Sequence, residues 1–313
     1  MPGPTSTSHV CEITALQAAQ LKEILAARGW ELAPAPYAFW KAQKEKTSIV
    51  AYQSGKLTVQ GKGMAEFVQF ILEPEILGEA RFGYETEWRE KDDPAMFEPH
   101  AGIDESGKGD YFGPLVVACC YTDRATARQL LDIGVTDSKA IKDDRRIAAL
   151  AGQIRTIVEG RFNIIAIGPE SYNRLYEKFG NLNRLLAWGH AKALETLLEK
   201  VPGCPRAISD QFGAKGTVQR ALQEKGRNIV LDEYPKAEAD IAVAAASILA
   251  RAEFVQRLEL LGHQAGMELP KGAGPLVDAA AKALVARDGP SRLPVFAKLH
   301  FKTTHKILSI DSE

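Results

Sequence analysis

Gly102-Ile103-Asp104-Glu105-Ser106-Gly107-Lys108-Gly109-Asp110-Tyr111-Phe112-Gly113-Pro114 carries more structural information than any other part of this 313-residue chain. Two adjacent acids follow an apolar strand and run straight into a Gly-Lys-Gly turn. Side chains alternate across a strand, so both acids reach one site only if the strand ends or bends between them. The glycines supply that freedom and let backbone N–H groups approach a polyanion closely. Carboxylates at the end of a central strand suit a hard cation such as Mg²⁺, which takes oxygen ligands and keeps several waters. A solvated surface turn fits poorly, because apolar residues on both sides (Ala101 to Ile103, then Leu115 to Ala118) press the turn against a core.

Other acids sit in comparable places. Asp210 follows Ala207-Ile208-Ser209, another short apolar strand, although Asp commonly starts a turn at such a point. Glu238 and Asp240 precede a long Ala-rich helical pattern, where the helix dipole favours acids without any function. Taken singly, neither region decides between a structural and a chemical role.

Outward from the first motif, residues 115–121 read as a second strand and the chain from Ser138 as a helical region. Strands follow at 161–167, 207–209 and 228–231, with long helices at 182–199 and 241–261. Strands early and helices alternating later predict an α/β sandwich with a mixed sheet, over about residues 100–313. Upstream, residues 14–28 have helical spacing. Strands are expected at 37–42, 47–53 and 56–60, then a helix from 64 to 72 closed with the help of Pro74. That small module carries five lysines (41, 44, 46, 56, 62) against one acid, Glu45, between residues 37 and 63. Tyr37, Phe39, Trp40 and Tyr52 are interleaved, so a twisted sheet with lysines and aromatics on one face is expected to lie along a nucleic-acid backbone or groove. A solvated lysine edge over aromatics packed on the helices is the competing reading. Residues 78–99, acidic and ending near Pro94 and Pro99, read as a linker.

Lys and Arg number 39 against 40 Asp and Glu, so the formal net charge is −1, and any footprint for nucleic acid must be local. Four cysteines without a C-x-x-C pair read as small hydrophobes in a reducing compartment. Residues 1–9 lack a secretory signal pattern and no stretch approaches the ~20 apolar residues of a membrane span, so a cytoplasmic protein with no membrane partner is expected.

The ordered motifs resemble the ribonuclease H type 2 family, and within it bacterial ribonuclease HIII. Asp104 through Leu115 is similar to that family's first motif almost throughout. Thr136-Asp137-Ser138-Lys139, Asn181-Leu182-Asn183-Arg184-Leu185-Leu186-Ala187-Trp188 and Ser209-Asp210-Gln211-Phe212 follow. Lys236-Ala237-Glu238, Ala244 through Arg251, Leu269-Pro270-Lys271-Gly272-Ala273-Gly274 and Lys298-Leu299-His300-Phe301 complete the series. Gln60-Gly61-Lys62-Gly63 and the segment after it look like the small TATA-binding-protein-like domain that precedes the nuclease in ribonuclease HIII.

The resemblance implies an α/β fold: a ribonuclease H-like mixed sheet flanked by helices, after an N-terminal α+β TATA-binding-protein-like domain (residues 1–77) that grips the substrate. It implies an endoribonuclease that cuts the RNA strand of RNA/DNA hybrids, leaving 5′-phosphate and 3′-hydroxyl ends, with two Mg²⁺ or Mn²⁺ ions. The family's four acids fall on Asp104, Glu105, Asp210 and Glu238, the first three as metal ligands and Asp104 shared between the ions. Asp240 is a competitor for the fourth place. Gly107, Lys108 and Gly109 are implied to read the 2′-hydroxyl and phosphate, and Ser138 and Lys139 to hold the backbone. Lys271 and Gly272 are further candidates, whereas Trp188 and His190 read as core. No obligate protein partner is expected. Excision of single ribonucleotides from duplex DNA, as by ribonuclease HII, and non-catalytic hybrid binding are the alternatives.

Overall fold

The computed structural model describes residues 8–213, 216–222 and 229–308. The expectations placed on residues 1–7 and on Asn228 lie outside them. The chain divides into two compact units, Met1–Asp92 and Asp93–Glu313.

In the first unit, β1 (Ser8–Glu12), β2 (Glu31–Ala33), β3 (Ala38–Lys44), β4 (Thr47–Tyr52) and β5 (Lys56–Gly61) form an antiparallel sheet in the order β1-β5-β4-β3-β2. Strict alternation buries Trp40, Ala42, Ile49, Ala51, Leu57 and Val59 on one face. That face packs on Leu21 and Leu25 of α1 (Ala15–Ala27), and on Phe67 of α2 (Met64–Phe67) with Val68 and Leu72 after it. Thr14 opens α1 with a reciprocal capping box to Gln17. β1 and β2 were not legible in the sequence.

Two expectations for this unit need correction. Pro74 does not close the second helix: the helical segment continues in π geometry as Val68–Leu77 and ends at Gly78, which takes the left-handed conformation. Nor do all the lysines and aromatics share one face. Trp40 points into the core, its indole N–H donating to the Ala18 carbonyl at 2.9 Å, and Lys44 donates to the Arg28 carbonyl at 2.8 Å. Alternation leaves Phe39, Lys41, Val50, Tyr52, Thr58 and Gln60 on the open face.

The stretch expected as a linker is not featureless. It forms α3 (Glu85–Asp92) and a 3₁₀ turn, Pro94–Phe97, whose Met96 and Phe97 are buried in the second unit's core.

The second unit is built on β6 (His100–Ser106), β7 (Leu115–Thr122), β8 (Phe162–Ile167), β9 (Arg206–Asp210) and β10 (Val230–Tyr234), in the order β10-β9-β6-β7-β8. β6, β7 and β8 pair antiparallel, while β9 joins β6, and β10 joins β9, in parallel. α4 (Arg124–Asp132), α5 (Asp144–Ile157) and α9 (Ile241–Ala265) cover one face, where Val116, Ala118 and Cys120 meet Ala245, Ile248 and Leu249. α7 (Leu182–Lys200) covers the other, where Ile103, Val117 and Cys119 meet Leu194 and Leu197. Gly102 lets α9 press on β6: a Cβ there would stand 2.1 Å from the Val243 nitrogen. α6 (Pro169–Phe179), α8 (Thr217–Ala221), α10 (Pro275–Asp288), α11 (Leu293–Phe296) and α12 (Lys302–Leu308) complete the unit. All four cysteines are free thiols.

Candidate active site

β6 does not break between its two acids. It runs on through Ser106, so alternation sends Asp104 toward α9 and Glu105 toward α7. Asp104 accepts the Glu105 backbone N–H at 2.8 Å, and the Ser247 hydroxyl on α9 favours its charged form. Glu105 Oε2 stands 3.0 Å from Nε2 of His190 on α7, and Lys108 Nζ is 3.4 Å from its Oε1.

The parallel register Ile103↔Ser209 sets Asp210 beside Asp104 at the ends of neighbouring strands. Beyond β10 the chain turns through Lys236, whose positive φ of 63° aims its N–H at Asp210 Oδ1 (3.0 Å). The 3₁₀ turn Ala237–Ala239, which carries Glu238, then leads into α9. Asp240 is the N-cap of that helix. It accepts from the Ala242 and Val243 nitrogens, and both its oxygens lie 3.0–3.1 Å from His100 Nε2. Its hydrogen-bonding capacity is spent on the fold, whereas Glu238 stands 3.9 Å from Lys139 Nζ and remains partly exposed.

The electrostatics show which groups converge. Burial, then the neighbouring Glu105 charge, pushes the Asp104 carboxyl up to about 7. Burial also raises Glu105, but hydrogen bonding and charge from His190, aided by Lys108, outweigh it and hold Glu105 below the usual range. Burial lowers the Lys139 ammonium, yet Glu238, Asp104, Asp137 and Asp210 together raise it above its ordinary value. Three of the four expected acids thus act on one lysine, and the fourth acts on Asp104.

Among the described residues, no group of three or more His, Cys, Asp or Glu side chains is drawn together tightly enough to hold a metal ion as it stands. The donor set nonetheless fits Mg²⁺ or Mn²⁺: it is all carboxylate oxygen, and adjacent buried acids need a compensating cation.

The Gly-Lys-Gly turn is fixed at its first glycine. Gly107 has φ +89°, and a Cβ there would lie 2.2 Å from the Pro114 carbonyl oxygen and 2.8 Å from the Phe254 ring. A Cβ at Gly109 would meet nothing within 4 Å, so that side of the turn is open. Lys108 extends over the Phe212 ring, 5.4 Å from its centroid. Downstream, Gly272 N donates to Asp110 Oδ1 at 2.6 Å, and the buried Lys298 ammonium donates to the Asp110 carbonyl at 2.7 Å.

Ser138 is placed differently from a surface contact. It is buried, and its hydroxyl is paired with that of Ser247 at 2.7 Å, one bond removed from Asp104. Lys271 forms an ion pair with Asp144, which also holds Arg251. Trp188 packs beside Phe179. His190 is buried, as its helical position implied, but it also holds Glu105, a role that helical spacing has no means of signalling. Lys298, in the Lys298-Leu299-His300-Phe301 motif, was likewise given no role by the sequence.

A family model described as Ribonuclease HII matches residues 101–304, and one described as a domain of unknown function (DUF3378) matches residues 8–79. Ribonuclease HIII of Chlamydia pneumoniae is 45% identical over 272 residues, covering 86% of this chain and 88% of that protein. Ribonuclease HIII of Protochlamydia amoebophila (strain UWE25) is 42% identical over 291 residues, 93% of each chain. The solved structure of Bst-RNase HIII in complex with Mn²⁺ is similar at 30% identity and a TM-score of 0.65, covering 97% of this chain and 99% of that one. Matched over nearly their full length by relatives this similar, the chain belongs to the ribonuclease HIII family.

Proposed function

We propose that this protein is an endoribonuclease that hydrolyses the RNA strand of RNA/DNA hybrids with Mg²⁺ or Mn²⁺ as cofactor. The observation that carries this reading is the placing of Asp104, Glu105 and Asp210 at the ends of the neighbouring strands β6 and β9, with Glu238 in the turn before α9 and 3.9 Å from Lys139 Nζ, beside the Gly107-Lys108-Gly109 turn. Asp104, Glu105 and Asp210 are assigned as metal ligands, with Asp104 at the centre of the set. Glu238 takes the fourth place in preference to Asp240, whose oxygens already serve the α9 cap and His100.

When bound, the divalent cations supply an activated water and neutralise charge on the phosphodiester. The residues of the chain do the rest. A water oxygen bonds to phosphorus as the bond to the 3′-oxygen breaks, a proton released by the water is balanced by one taken up on that 3′-oxygen, and the products are a 5′-phosphate and a 3′-hydroxyl. Backbone N–H groups of Gly107, Lys108 and Gly109 approach the RNA sugar at the open side of the turn, where a 2′-hydroxyl separates RNA from DNA. Lys108 and Lys139 provide positive charge to the phosphates, and Ser138 supports Asp104 through Ser247.

The N-terminal module, residues 1–77, is assigned to hybrid binding through the open sheet face of Phe39, Lys41, Tyr52 and Gln60. Residues 78–99 join it to the catalytic part, residues 100–313. No described helix is long and apolar enough to cross a membrane; a cytoplasmic enzyme acting without an obligate protein partner is the proposal. The test is cleavage of an RNA/DNA hybrid, double-stranded RNA, single-stranded RNA, and duplex DNA with one ribonucleotide, each with Mg²⁺ and Mn²⁺. Preferential cutting of the hybrid supports the reading. Preferential cutting at the single ribonucleotide would replace it with the ribonuclease HII activity.

A further inference from the structure

The roles assigned above do not account for His190. His190 has no exposed surface, yet its imidazole is not surrounded by apolar groups alone. Nε2 stands 3.0 Å from Glu105 Oε2, Nδ1 stands 3.1 Å from Ser209 Oγ, and the ring meets the Phe212 ring edge-on at 4.8 Å. Ser209 Oγ also lies 3.2 Å from the Asp210 carbonyl oxygen, to which it donates. A single imidazole therefore links the acidic end of β6 to that of β9. Buried polar groups persist where their bonds are used, because an unpaired one costs free energy.

The two oxygens of Glu105 are held unequally. Oε2 is held by a ring locked inside the fold. Oε1 meets Lys108 at the longer distance of 3.4 Å, and the Lys108 side chain is 38% exposed and can swing away. Resting on the assignment of Glu105 as a metal ligand, we infer that His190 is a positioning residue that reserves Oε2 and leaves Oε1 as the oxygen offered to the divalent cation. Glu105 is then a one-oxygen ligand of fixed orientation. Lys108, the group that yields, is left to follow the substrate phosphate. His190 touches neither substrate nor the reacting atoms; it acts through Glu105.

The experiment is calorimetric titration of the full-length protein with Mn²⁺ in the absence of nucleic acid, for wild type, His190→Leu, His190→Gln, Glu105→Gln and the double variant Glu105→Gln/His190→Leu. Removing a group that orients a ligand costs roughly 10–100-fold in metal affinity, and that loss is expected for His190→Leu. His190→Gln, whose amide N–H reaches toward the same oxygen, is expected to recover most of it. In the Glu105→Gln background His190→Leu should cost nothing further, because the effect runs through that carboxylate. In hybrid cleavage, kcat at limiting Mn²⁺ should fall in His190→Leu while KM for the hybrid holds. Should His190→Leu fail to fold, His190→Asn, whose shorter amide does not span the gap, takes its place against His190→Gln. Wild-type Mn²⁺ affinity in folded His190→Leu or His190→Asn, or no recovery in His190→Gln, overturns the inference. Wild-type Mn²⁺ affinity in Glu105→Gln overturns the ligand assignment itself, and His190's role with it.

Discussion

Asp104→Asn should make the protein more stable and inactive at the same time. Asp104 is only 9% exposed, and burial followed by the Glu105 charge raises its carboxyl from 3.8 to about 7. At pH 8 the folded state must hold it ionised, which corresponds to a penalty of about 4 kcal/mol at the ceiling. Water at the sheet edge and side-chain relaxation reduce what an amide recovers to about 1–3 kcal/mol. Asn is the same size and keeps an oxygen for the Glu105 N–H, so no cavity offsets the gain. For a unit of this size the gain corresponds to a rise in Tm of roughly 3–9 °C. The pH dependence has a definite sign. Between 3.8 and about 7 the folded protein keeps a proton that the unfolded chain has lost, so this group's stability is present at low pH and lost as pH rises through 7. The variant should therefore match wild type near pH 4 and exceed it at pH 8. The assay is urea unfolding of both proteins at the two pH values in EDTA, repeated with Mn²⁺, which should stabilise wild type by mass action and the variant much less. A variant less stable than wild type at pH 8 in EDTA, or a gain as large at pH 4 as at pH 8, would refute this reasoning.

Gly107→Ala should cost about 1–3 kcal/mol in urea unfolding, because a Cβ meets the Pro114 carbonyl at a positive φ, whereas Gly109→Ala should unfold like wild type and raise KM for the hybrid instead. Burial depresses the Lys298 ammonium to about 7, so between there and its ordinary 10.5 the unfolded chain holds a proton that the folded protein has released. Stability should climb across that window by at most about 1.4 kcal/mol per pH unit, and unfolding curves of Lys298→Met should lack the climb. On the first unit, Phe39→Ser with Lys41→Ser should raise KM for the hybrid and leave kcat and Mn²⁺ affinity unchanged; an unaltered KM would remove that face from substrate binding. Glu238→Gln should impair metal-dependent cleavage with little effect on stability. Asp240→Asn should destabilise chiefly through the α9 cap and His100, by ~1 kcal/mol or more in urea unfolding.

The sequence made the catalytic sheet legible because its strands are short apolar runs bounded by acids and glycines, and because α7 and α9 are long and apolar enough to stand out. β1 and β2 were missed because Ser8–Glu12 and Glu31–Ala33 are short, half-exposed edge strands with weak patterning. Helices α10 to α12 were not read from the sequence; in that region Pro275, Pro290 and Pro294 start helical turns rather than ending them. Asp104 and Glu105 were visible locally, but the continuation of β6 through Ser106 was not, and it is why the two acids have different partners. His190 and Lys298 hold the site through contacts 85 and 188 residues away, which no local pattern encodes. Asp240 illustrates the converse, since only the bonds to His100 distinguish a capping acid from a catalytic one.

The most direct test of the acidic centre is single-turnover cleavage of an RNA/DNA hybrid with Mg²⁺ by wild type, Asp104→Asn, Glu105→Gln, Asp210→Asn and Glu238→Gln. Wild type should release fragments with 5′-phosphate and 3′-hydroxyl ends, and each of the first three substitutions should abolish cleavage while hybrid binding persists. Cleavage by Asp104→Asn at the wild-type rate would contradict the account.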